Sequence, residues 1–121
     1  MKKILLVDDS KTIRMLIKRN LRQAGFDQAE VLEADDGAAG LETALREQPD
    51  LILSDWNMPE MSGMELLQAL RARGVEPRFG FITSESTPTY KEQALAAGAS
   101  FLLSKPFNAD SFADALGAPA P

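Results

Sequence analysis

Short apolar runs alternate five times with helical stripes along this chain, and that rhythm constrains the fold more than any single residue does. Ile4-Leu5-Leu6-Val7 is apolar at every position, the pattern of a strand buried on both faces. Ile13, Leu16, Ile17, Leu21 and Ala24 then recur at three- and four-residue spacing, which predicts a helix that stops at Gly25. Val31-Leu32 predicts a weak second strand, and Ala38, Leu41, Ala44 and Leu45 a second helix closed by Gln48-Pro49. Leu51–Leu53, Phe79–Thr83 (interrupted by Gly80) and Phe101–Ser104 supply three further strands. Met64, Leu67 and Leu70 stripe a third helix that ends near Gly74, and a fourth spans about Thr89–Ala97 before Gly98. A short fifth helix covers about Ala109–Leu116, with Asn108 or Asp110 as its cap. Strands and helices in strict alternation imply right-handed crossovers and a parallel α/β sheet covered on both faces.

The chain has 121 residues, enough for one domain and too few for two of ordinary size. We read residues 1–116 as that domain and residues 117–121, Gly-Ala-Pro-Ala-Pro, as a tail or the start of a linker. The net charge of −5 argues against a nucleic-acid surface, which needs clustered Lys and Arg. Cysteine and histidine are both absent. Disulfides, thiolate and imidazole metal sites, Ser-His hydrolysis and a phosphohistidine on this chain are thereby excluded. No apolar run approaches the roughly 18 residues of a membrane span, so a soluble, cytoplasmic protein is expected.

In open parallel sheets the functional crevice lies outside the carboxyl ends of the strands. The residues at those ends are Asp8-Asp9, Asp55, Thr83-Ser84 and Lys105-Pro106. Each has a plainer reading when taken alone. Asp8-Asp9 can cap the first helix, with Ser10 competing for that role. Asp35-Asp36-Gly37 is a similar acid pair that reads only as a turn and cap, and Asp50 needs no function. Thr83 can bond nearby backbone, Lys105 can be a solvated turn charge, and Met58, Met61 and Met64 read as packing residues. The joint occurrence shifts the reading. Three carboxylates held close repel one another, and a hard divalent cation with oxygen ligands relieves that cost, which points to Mg²⁺. Thr83 can donate to a phosphoryl oxygen and Lys105 can neutralise another. Asp55 then stands as a nucleophile of the acyl-phosphate type.

These residues in this order resemble the receiver domain of bacterial response regulators in two-component signal transduction. The resemblance covers nearly the whole chain. It is carried by Val7-Asp8-Asp9-Ser10, by Asp55 with Met58-Pro59 and Gly63, by Thr83, by Gly98-Ala99, and by Lys105-Pro106-Phe107. The stretch Asp55-Trp56-Asn57-Met58-Pro59 is similar to the chemotaxis branch of that family. The resemblance implies a flavodoxin-like (βα)5 fold with strand order 2-1-3-4-5. It also implies phosphorylation of Asp55 by a sensor histidine kinase or a histidine phosphotransfer protein, with Mg²⁺ held by Asp9, Asp55 and the carbonyl of Asn57. Asp8 would act mainly through metal-bound water, and Lys105-Pro106 would be a cis peptide. Asn57 and Glu85 would flank the attacking water and favour a short-lived phosphoryl group, an autophosphatase property rather than that of an enzyme acting on other molecules. The partner face would be the fourth helix, fifth strand and fifth helix, engaged by a downstream target while the chain remains a monomer.

Two features depart from that pattern. The family's strand-five aromatic, three residues before the lysine, is replaced here by Leu102, and Phe101 precedes it. Alternation puts those two side chains on opposite faces unless the strand is bulged, so Phe101 is not expected to turn inward. Movement of Thr83 is expected to couple to the fourth helix with a smaller or different change at the fifth strand. The last helix is also short. Two other classes fit less well. A haloacid dehalogenase-like phosphatase wants a second acid two residues beyond its nucleophile, where this chain has Asn57. A flavodoxin proper wants uncharged phosphate-loop donors where this chain has Asp8-Asp9. A receiver module belonging to a longer regulator or phosphorelay protein is the alternative within the leading class.

Overall fold

The computed structural model describes residues 2–117. The chain runs β1 (Lys3–Val7), α1 (Lys11–Gln23), β2 (Glu30–Ala34), α2 (Gly37–Glu47), β3 (Leu51–Ser54), α3 (Gly63–Ala72), β4 (Arg78–Thr83), α4 (Pro88–Ala96), β5 (Phe101–Ser104) and α5 (Ala109–Leu116). The five strands form one sheet in the order β2-β1-β3-β4-β5, every neighbouring pair parallel. The parallel sheet is the one expected from the alternation, and its strand order is the flavodoxin-like topology that the resemblance implied. The short Val31-Leu32 signal belongs to a full edge strand, β2, whose outer positions are too polar to show a run. Helix α4 begins at Pro88, one residue before the sequence signal, because proline favours a first-turn position. No helix among the described residues is long and apolar enough to cross a membrane. The tail read at residues 117–121 lies, after Gly117, outside the described residues.

Alternation along each strand divides the core in two. Leu5, Val7, Ile52, Phe79 and Phe81 face α2, α3 and α4, where Ala44, Leu66, Leu67, Leu70 and Ala94 meet them. Ile4, Leu6, Leu51, Leu53 and Ile82 face the other way, toward Ile17 and Leu21 of α1 and Phe112 and Leu116 of α5. Met58, Met61 and Met64 pack on the first of these cores, as their spacing suggests. The sheet interior is thus apolar on both sides, and polar side chains are displaced to the strand ends.

Several sequence ambiguities resolve through hydrogen bonds. Ser10 caps α1 by accepting from the Ile13 N–H at 3.2 Å, so neither Asp8 nor Asp9 is the cap. Asp36 caps α2 through the Ala39 N–H, the structural role read for that acid pair. Asn108, not Asp110, caps α5 in a reciprocal arrangement with Ser111. Asp50 accepts from the N–H groups of Lys2 and Lys3 at 2.7 and 2.9 Å, tying the β3 entry to the start of β1.

Gly80, the break in the fourth apolar run, pairs in register with Phe101. A Cβ at Gly80 would lie 2.2 Å from the Phe101 ring, so the ring occupies the space a side chain would need. The same ring stands 5.9 Å from the Arg78 guanidinium carbon, and Arg78 donates to the Ala115 carbonyl at the end of α5. Phe101 is therefore seated on the α1/α5 side, while Leu102 packs on the opposite core beside Phe81. Gly80→Ala should destabilise the fold by about 1–3 kcal/mol through overpacking. Phe101→Leu in the same chain should recover part of that loss in urea unfolding. An unchanged midpoint for the single variant would show that the ring moves aside freely.

Candidate functional site

Parallel pairing places Val7 beside Ser54, Ser54 beside Phe81, and Thr83 beside Ser104. The residues that follow or end these strands consequently emerge on one rim. Asp8, Asp9 and Asp55 each offer a carboxylate oxygen there, all within 4.8 Å of one another. Asp8 is buried, Asp55 half-buried and Asp9 exposed, so the cluster grades from the sheet interior to solvent. From the far strand, Lys105 reaches back with Nζ 3.0 Å from Asp55 Oδ2 and 3.2 Å from Asp8 Oδ2. Lys105 is separated from these acids by 50 and 97 positions, and only the sheet order brings them together.

Backbone geometry holds each group in place. The Asp55 N–H donates to the Val7 carbonyl at 3.0 Å, and buried Ser54 donates its hydroxyl to the Asp55 carbonyl at 2.9 Å. Gly63 approaches the same carbonyl so closely that a Cβ there would lie 2.1 Å from it, which explains the glycine after the Met58-Pro59 turn. The Asn57 N–H leans on Asp55 Oδ1 at 3.4 Å. Thr83 ends β4 fully buried, and its hydroxyl accepts from the half-buried Glu85's N–H at 3.1 Å. The Lys105 N–H donates to the Thr83 carbonyl at 2.9 Å, and the Lys105-Pro106 peptide is cis. Of the residues picked from sequence, Asp8, Asp9, Asp55 and Lys105 meet through their side chains. Asn57, Thr83, Glu85 and Pro106 border the same rim through backbone links, and Leu102 lies further down β5, below the rim.

The electrostatics are those of an acid cluster with one built-in cation. Burial pushes the Asp8 carboxyl above its usual range, against the Ser10 N–H bond at 2.8 Å and the attraction of Lys105. Burial also works to lower Lys105, but its hydrogen bond and charge interaction with Asp55, joined by those of Asp8, outweigh it and hold the ammonium raised and protonated. Three converging carboxylates and a single lysine leave net negative charge, and hard oxygen donors at this spacing fit Mg²⁺.

Arg14 escaped the sequence reading. Its guanidinium donates to the Asp8 carbonyl and, through Nε, to Glu33 of β2 at 2.9 Å. It thereby clamps the β1–α1 loop that carries the acid pair. Its place four residues after the Ser10 cap was visible, but its partner Glu33 is set by the pairing of β1 with β2.

Residues 4–117 match the family described as response regulator receiver domain. The chain is 39% identical over 109 residues to the chemotaxis protein CheY of Pseudomonas aeruginosa, covering 88% of this chain and 86% of that one. It is 36% identical to chemotaxis protein CheY-3 of Vibrio cholerae, covering 94% and 88%. Among solved structures, the chemotaxis response regulator CheY4 of Vibrio cholerae superposes with a TM-score of 0.83 at 37% identity, covering 96% of each chain. The chain therefore belongs to the response regulator receiver domain family. It is a CheY-like receiver, a signalling module and not a conventional enzyme.

The raised Asp8 pKa carries a sign. A carboxyl raised in the folded state adds stability while it is protonated, and that contribution is lost as pH climbs through the folded value. At neutral pH without metal, buried Asp8 is thus a cost. Asp8→Asn keeps an acceptor for Ser10 and should raise the metal-free unfolding midpoint at pH 7. The gain should vanish in acid, and the thermal shift produced by added Mg²⁺ should shrink. A lower midpoint at pH 7 would mean that the Lys105 pair outweighs desolvation.

Proposed function

We propose that this receiver, taken as residues 1–116, accepts a phosphoryl group on Asp55 from a phosphohistidine of a sensor kinase or phosphotransfer protein. The observation that carries this reading is Lys105 Nζ bonded to both Asp55 and Asp8 on a rim where three carboxylates converge. In the transfer, an Asp55 carboxylate oxygen forms a bond to phosphorus while the phosphorus–nitrogen bond of the donor breaks. The electron pair leaves on the imidazole nitrogen, which takes a proton. Loss of the group is hydrolysis: a water oxygen bonds to phosphorus, the acyl-phosphate P–O bond breaks, and the carboxylate and inorganic phosphate are released.

Asp9, Asp55 and the Asn57 carbonyl are the groups we assign to Mg²⁺, with Asp8 acting on its water shell. Bound there, the ion supplies charge neutralisation for the incoming phosphoryl oxygens. Lys105 is already at Asp55 and offers a compact positive charge to a phosphoryl oxygen, exchanging one anionic partner for another. The Thr83 hydroxyl, which among the described residues accepts from the Glu85 N–H, has its proton to donate to a phosphoryl oxygen. Asn57 and Glu85 flank the line of approach of water and set the rate of hydrolysis. The relatives named for chemotaxis support that pathway, with a downstream target bound at α4, β5 and α5.

With Mg²⁺ and acetyl phosphate, intact mass should rise by one phosphoryl group. Asp55→Ala or chelation of the metal should abolish the gain, and Lys105→Ala should lower it strongly. Absence of the adduct under every donor would sink the reading. Exchanging Asn57 and Glu85 for other side chains should change the decay of the adduct several-fold. Decay at the wild-type rate would remove them from the hydrolytic step.

A further inference from the structure

The protein's one tryptophan follows Asp55 directly, and its one tyrosine lies on α4. The two rings meet edge to face, with centroids 5.0 Å apart and planes at 83°. On its other side Trp56 stacks on Phe81 at 4.6 Å, and Phe81 in turn meets Phe79 at 5.1 Å. An aromatic row thus leads from the centre of β4, past the residue beside Asp55, to α4. It lies on the same face of the sheet as Leu102, which is the in-register partner of Phe81. The aromatic of β5, Phe101, is held on the opposite face over Gly80.

We propose that Tyr90, through its contact with Trp56, is the residue that transmits phosphorylation of Asp55 to α4. The proposal rests on the reading of Asp55 given above. The hydrogen bond from the Asn57 N–H to Asp55 Oδ1 spans Trp56, and at 3.4 Å it is long. Conversion of the carboxylate to an acyl phosphate moves the negative charge from the carboxyl oxygens, where this N–H leans, to the bulkier phosphoryl oxygens beyond them, so the backbone at positions 56 and 57 readjusts. The Trp56 ring cannot yield inward. Phe81 is wholly buried, and its ring lies 3.0 Å from where a Cβ on Gly63 would stand, while the Gly63 N–H holds the Trp56 carbonyl at 2.8 Å. The compliant neighbour is half-buried Tyr90, on a helix that buries only Ala94 fully and whose Thr87 cap makes no side-chain hydrogen bond. Movement of the tryptophan is therefore relieved through the least anchored helix of the fold.

The test is hydrogen exchange across residues 88–96, with and without Mg²⁺ and acetyl phosphate, on wild type, Tyr90→Phe and Tyr90→Leu. Intact mass on the same samples reads phosphoryl uptake. All three proteins should take up the group. Exchange in α4 should change about threefold or more in wild type and Tyr90→Phe, and by less than about half as much in Tyr90→Leu. A wild-type response in Tyr90→Leu, loss of the response in Tyr90→Phe, or wild-type uptake without any change in α4 would overturn the coupling. Loss of uptake in Tyr90→Leu would also overturn it, by placing Tyr90 in the chemistry itself. No uptake by wild type would overturn the reading of Asp55, and the coupling with it.

Discussion

Everything in this structure depends on a parallel sheet that is buried on both faces. Its central strands β1, β3 and β4 have no interior position where a charge can reach water, so their ionisable groups are confined to the strand ends, while the edge strand β2 exposes Glu33. In this chain they gather at the carboxyl rim, on β1, β3 and β5 and the loops that follow. The N-terminal rim carries Asp50, spent on binding the backbone of Lys2 and Lys3. The carboxyl rim carries Asp8, Asp9, Asp55 and Lys105, whose mutual charge is only partly balanced. The fold stabilises one rim and leaves the other electrostatically poised, with three carboxylates facing one lysine.

That poise follows from gradation. Asp8 is nearly inaccessible and resists ionisation, Asp9 is open to solvent, and Asp55 lies between them beside the single ammonium group. A fully buried triad would protonate, and a fully exposed one would be screened and weak. Thr83 and the Lys105 backbone are linked by a hydrogen bond, so the hydroxyl and the lysine are placed by one strand pair. Arg14 completes the frame from behind by fastening the Asp8 carbonyl to α1 and β2.

The site residues were legible because each sits at the end of an apolar run, where the break in pattern marks the rim. Asp8, Asp9, Asp55, Thr83 and Lys105 all carry that local signal. Arg14 and the Trp56–Tyr90 contact carry none, since both depend on how a helix lies against a neighbouring element. Cap assignments were similarly ambiguous. Ser10 and Asp8 are equally good cap residues, and the choice is made by which side chain the Ile13 N–H faces and which is drawn toward Lys105. Gly80 looked like an interruption of β4. It is the space in which Phe101 rests.

By itself, the sequence determined the alternation of elements, the acidic rim and the opposite facing of Phe101 and Leu102, because periods of two and 3.6 residues are local properties of the backbone. The tertiary structure alone decided that Lys105 bridges Asp8 and Asp55, and that Tyr90 rather than a β5 aromatic lies against Trp56. Those contacts join residues far apart in the chain. Their distances are set by sheet order and helix placement, which local periodicity does not encode.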